Sequence, residues 1–90
     1  MISWGFAFNY SDLATVGVNF PKPSCYLYVA GSTGDIVYTN SAGLAQYFPN
    51  AQGNNIYPIG AINILASATV NGTLRTTGAT NIVYCSTTIP

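Results

Sequence analysis

The stretch Cys25-Tyr26-Leu27-Tyr28-Val29-Ala30-Gly31-Ser32-Thr33-Gly34-Asp35-Ile36-Val37-Tyr38-Thr39-Asn40 decides the fold class. Cys25 to Ala30 and Ile36 to Asn40 are both rich in β-branched and aromatic residues, the types that suit a pleated, half-buried surface. The residues between them favour turns, so the segment reads as two strands joined in a hairpin.

Downstream the same grammar repeats. Ser41-Ala42-Gly43 supplies a turn and Leu44 to Phe48 a strand, which Pro49 to Asn55 ends because nearly every residue there favours turns. The chain re-enters at Ile56-Tyr57-Pro58. In Ile59 to Ala68 an extended chain would turn Ile62, Ile64 and Ala66 one way and Asn63 and Leu65 the other. Asn71-Gly72, between Thr69-Val70 and Thr73-Leu74, is the dipeptide best suited to the two positive φ values of a type I′ hairpin turn. After Thr76 to Thr80, Asn81 to Thr87 makes a last strand. Strong helix signals are absent throughout. The expected fold is all-β: a small antiparallel β-sandwich or barrel of six to seven short strands.

Upstream, Pro21-Lys22-Pro23-Ser24 is the best internal boundary, since both prolines lack an amide donor and restrict the residue before them. Residues 1–22 are taken as an extended N-terminal strand or arm and residues 23–90 as a compact β domain. Ser11 to Phe20 reads as irregular or a weak strand, because Gly17 and the β-branched Thr15, Val16 and Val18 disfavour a helix. The first ten residues alternate, with Ile2, Trp4, Phe6, Phe8 and Tyr10 on one side of an extended chain and Ser3, Gly5, Ala7 and Asn9 on the other. That row either packs on the domain's own core or is an arm laid on a neighbouring subunit, and both readings stay open here.

The charge inventory narrows function. In 90 residues there are two cations, Lys22 and Arg75, and two carboxylates, Asp12 and Asp35; Glu and His are missing, and 4% is charged where about a quarter is usual. Two isolated cations cannot release counterions from a phosphate backbone or hold an anionic bilayer, which argues against nucleic acid and membrane as partners. No apolar run approaches the length of a spanning helix, since Ile56 to Ala68 is broken by Pro58, Gly60 and Asn63. The opening residues carry no basic group ahead of their apolar part and are not expected to be a secretory leader. A neutral surface lacks the repulsion that keeps small proteins apart, and so invites association.

The same inventory leaves little for catalysis. Acid–base work needs a group titrating near neutrality or paired carboxylates, and only Asp12 and Asp35 are available. Asp35, in a turn, is the kind of residue that bonds backbone amides. Gly31-Ser32-Thr33-Gly34 leads into a strand, and no lysine follows, so it is a poor phosphate cradle. Cys25 and Cys85 read as small buried hydrophobes, with a disulfide between the first and last core strands as the alternative; without His a closed zinc site is not expected. No catalytic, cofactor or metal residue is assigned. The candidate subunit-interface residues are Trp4, Phe6, Phe8, Tyr10, Tyr26 and Tyr28, because aromatic rings are favoured at protein contacts.

From Pro23 to Thr87 the order of features resembles the small spike-base or decoration proteins of tailed phages and gene transfer agents. The matching pieces are Tyr26-Leu27-Tyr28-Val29, Gly31-Ser32-Thr33-Gly34-Asp35-Ile36-Val37, Phe48-Pro49-Asn50, Tyr57-Pro58-Ile59 and Thr77-Gly78-Ala79-Thr80-Asn81-Ile82-Val83-Tyr84. The chain departs from that pattern at Ala68 to Arg75, an added hairpin, and at Ile59 to Asn63, uncharged where the family carries an arginine. The resemblance implies a virion structural protein, a capsid decoration (cement) or spike-base module. It would be assembled in the host cytoplasm as a homo-oligomer, trimer or pentamer, and placed on the capsid surface against the major capsid protein or a fibre. The expectation from another class is a small carbohydrate-binding module using Tyr and Trp4 as stacking platforms.

Overall fold

The computed structural model describes residues 7–87. Within them nine strands form: β1 (Tyr10–Leu13), β2 (Tyr26–Val29), β3 (Gly34–Thr39), β4 (Ala45–Ala51), β5 (Asn55–Tyr57), β6 (Asn63–Leu65), β7 (Ser67–Val70), β8 (Thr73–Thr76) and β9 (Ile82–Ser86). The number exceeds the expected six or seven for local reasons. The run from Ile59 to Ala68 breaks into β6 and the start of β7, and Ser11 to Leu13, read as irregular or a weak strand, gains with Tyr10 a full ladder along β9.

The strands make a first sheet in the order β1-β9-β2-β5, a second in the order β4-β3-β6, and the separate hairpin β7-β8. All pairings are antiparallel. The hairpin expected across Gly31 to Asp35 is not one, because β2 lies in the first sheet and β3 in the second. The connecting amides explain the crossing. Gly31 N donates to Thr80 O at 3.0 Å and Ser32 N to Thr80 Oγ1 at 2.7 Å, so the turn is stitched to the loop before β9 instead of closing on itself. A Cβ on Gly31 would collide with Thr80, and one on Gly34 with the Gly78–Ala79 backbone. Both glycines are there for close approach.

The true hairpin around β3 is β3-β4, turned by Gly43 at φ +84° and by Asn40, whose Oδ1 accepts from Ala42 N and Leu44 N at 3.0 Å. β4 runs on through Pro49, in the segment expected to be loop. As an outer strand of its sheet it has one side free of ladder bonds, so a residue without an N–H is tolerated. Asn71 and Gly72 stand at φ +51° and +80°, as the turn reading requires.

The core lies between the two sheets. Leu27, Val29, Ile82 and Tyr84 come from the first, Ile36 and Ile64 from the second, and Phe20, Ile59, Ala61 and Ala79 from connections. The segment after β1 closes one end by bonding to both sheets: Ala14 N donates to Ile82 O, Gly17 N to Ile64 O and Phe20 N to Ile62 O, each at 2.8 Å. The buried Ser24 closes the other way, its hydroxyl donating to Ile59 O at 2.8 Å and accepting from Ala61 N at 2.9 Å. The buried Ser24 hydroxyl is thus satisfied both as donor and as acceptor.

The hairpin β7-β8 is a third layer. Opposite the core face of the second sheet, register sets Tyr47, Val37 and Leu65 in one row. Val37 is 0% exposed although it points away from the core, because β7 packs beside β4 and β8 beside β3. Thr77 Oγ1 fastens this layer, donating to Leu65 O at 2.6 Å and accepting from Val37 N at 2.9 Å. The Arg75 guanidinium lies 4.3 Å from the Tyr47 ring centre, a cation–π contact.

Candidate assembly surfaces

Register also defines the face of the first sheet that points away from the core. One row across it is Ser11, Cys85 and Tyr26; the next is Leu13, Val83, Tyr28 and Ile56. Their chain neighbours Leu27, Val29, Ile82 and Tyr84 take the core side, as the two-residue period demands. Neither row contains a charged side chain. Tyr26, Tyr28, Val83 and Ile56 are half-buried and Leu13 is exposed.

Phe8 joins this face. It is buried but outside the core cluster, with its ring 6.3 Å from Tyr26 at 60°. Tyr10 does not join it, since its ring lies 6.0 Å from Tyr84 on the core side. The strand period that set Phe8 and Tyr10 on one side is thus broken at the entry to β1. Asn9 N donates to Ser86 O, yet Tyr10 is the register partner of Ser86. Two residues stand against one, the count of a bulge, which turns the preceding side chain to the other face. Of the six candidate interface residues, Phe8, Tyr26 and Tyr28 come together, Tyr10 is separated, and Trp4 and Phe6 lie outside the described residues.

A second apolar group was not singled out in the sequence. Leu13, Val16 and Val18 are 57%, 50% and 55% exposed, within a segment read as irregular or a weak strand. Their spacing matches no core face, and this mismatch in a β-branched run was the available signal. Beside them is a cleft of about 240 Å³ lined by Tyr10, Asp12, Thr15, Val18, Phe20 and Tyr84. Its aromatic faces are engaged: Phe20 stacks on Tyr84 at 4.2 Å and 8°. Burial, then the hydrogen bond and charge of Tyr10 and the charge of Asp12, push the Tyr84 hydroxyl up to about 12.

The carboxylates are occupied with structure. Asp35 accepts from Asn50 N at 2.8 Å and from the Tyr47 hydroxyl at 3.3 Å, and it binds β3 to β4 where their register shifts. Asp12 accepts from Leu13 N at 2.8 Å and the Tyr10 hydroxyl at 3.3 Å. They belong to different sheets. Among the described residues no three His, Cys, Asp or Glu side chains gather as a metal site.

No family model and no curated protein matches the chain. A solved structure does: a chain of the capsid of a native GTA particle computed with C5 symmetry, at a TM-score of 0.60 and 16% identity, over 96% of this chain and 92% of that one. The fold is shared. The likeness runs nearly end to end.

Proposed function

We propose that the chain is a virion structural protein, a capsid decoration or head spike-base module that assembles symmetrically on the particle surface. The observation that carries this reading is the end-to-end likeness to a chain of a GTA capsid. An uncharged sheet face that carries the exposed Leu13, followed in the chain by exposed Val16 and Val18, supports it, because such surfaces gain free energy when covered. The subunit contact is assigned to Phe8, Tyr26 and Tyr28, with Trp4 and Phe6 carried on the segment ahead of them and Tyr10 beside it. The partners are copies of the chain, as a trimer or pentamer, and the major capsid protein or a fibre. Size-exclusion chromatography with light scattering on the purified chain tests the reading. A discrete oligomer at micromolar concentration is expected, and a stable monomer would overturn self-assembly as the working state.

A further inference from the structure

We propose that Cys25 and Cys85 are the two halves of a cross-strand disulfide that closes when the folded chain meets a low-molecular-weight disulfide and reopens in excess thiol. Both are free thiols in this structure. Cys25 N donates to Cys85 O at 2.7 Å, while the next residue, Tyr26, is the register partner of Cys85. Two residues at the entry to β2 therefore stand against one on β9, a second bulge of the kind seen at Asn9. The Cys25 thiol folds back over that partner, with Sγ 3.3 Å from the same Cys85 O and 3.8 Å from Ala7 O. The bulge thus sets Cys25 across from the same residue as Tyr26, with its sulfur already over the backbone of the cysteine to which the bond would tie it.

Exposure sets the order of events. Cys85 is 1% exposed and Cys25 only half-buried, so Cys25 reacts first. Its thiolate attacks one sulfur of the small disulfide, whose S–S bond breaks and releases one thiol. The Cys85 thiolate then attacks the Cys25 sulfur of the mixed disulfide, forming the Cys25–Cys85 bond and expelling the second thiol. Two protein thiols are oxidised, one small disulfide is reduced to two thiols, and the two protein protons leave on those thiols. Burial raises the Cys25 thiol, and burial together with the Cys25 charge pushes Cys85 up to about 11. Thiolate is scarce near neutrality, so closure is slow there and accelerates as pH rises. The bond joins residues 60 positions apart and fixes the entry of β2 to β9.

The test uses the full chain and oxidised glutathione at about pH 8, followed by alkylation under denaturing conditions, intact mass and peptide mapping. The expected product has the mass of a single chain under denaturing conditions and has lost both alkylatable thiols. It carries one linked peptide pair containing Cys25 and Cys85, and its Tm rises by on the order of 10 °C, all reversed by dithiothreitol. Cys85→Ser should instead stop at a glutathione adduct on Cys25, with no rise in Tm. Two thiols that stay alkylatable in the wild-type chain, a lasting glutathione adduct on it, or a disulfide-linked dimer would each overturn the proposal. The wild-type readout decides even if a cysteine variant folds poorly.

Discussion

Each sheet has an apolar second face, and the two faces are treated differently. On the second sheet, Val37 and Tyr47 lie under the chain's own hairpin, fastened by Thr77 and by Arg75 over the Tyr47 ring. On the first, Phe8 reaches over Tyr26 and the row Leu13, Val83, Tyr28, Ile56 keeps part of its surface open. The hairpin costs only local closure, because its ends meet across a two-residue turn. Phe8, drawn from the N-terminal side, is instead held by Asn9, which donates to Ser86 O and Thr87 O at the other end of the chain. The face covered by the hairpin is part of the interior. The other is the face proposed above for a partner.

The sharpest way to break this contrast is to place the same charge on each face. Val37→Asp buries a carboxylate with no countercharge and should cost about 3 kcal/mol or more, a large share of the roughly 5–15 kcal/mol that holds a domain together. Val83→Asp, on the open face, should cost about 1 kcal/mol yet dissolve any oligomer. Thermal melts and light scattering on the two variants read both effects, and equal destabilisation would show that the first face is interior too.

Alkali should discriminate next. The folded-state values of Cys85 and Tyr84 are raised from 9.0 and 10.0 to about 11 and about 12, so the folded state holds these protons more tightly. Their stabilising effect is intact below pH 9 and is lost as pH climbs through the raised values. Both groups sit on β9 in the first sheet, so denaturation midpoints should fall from pH 9 upward, and Cys85→Ser should remove the earlier part of the fall. The smallest effect belongs to the hairpin tip. Gly72→Ala, at φ +80°, should cost about 1 kcal/mol and speed amide exchange in β7 and β8 while leaving β2 and β9 protected.

What the sequence made legible was local. Asn71-Gly72 announced its turn because few residue pairs accept two left-handed positions, and the aromatic, β-branched runs announced strands. Pairing was not legible. Gly31 to Gly34 has the composition of a hairpin loop, and only Thr80, far along the chain, makes it a crossing between sheets. The interface candidates fared likewise. Alternation at Phe8 and Tyr10 was visible, but the extra residue that parts them is a property of β9's register. Leu13, Val16 and Val18 escaped notice because an irregular segment has no period from which to read a face.

The place of β9 has a consequence for synthesis. It runs between β1 and β2, although both precede it by more than fifty positions. Until Ile82 to Ser86 has left the ribosome, β1 and β2 have no common partner, and the first sheet cannot form around its centre. The face proposed for the subunit contact does not exist on a nascent chain. Premature association of half-made copies, a common hazard for uncharged β proteins, is thereby deferred until the strand that completes the sheet has been made.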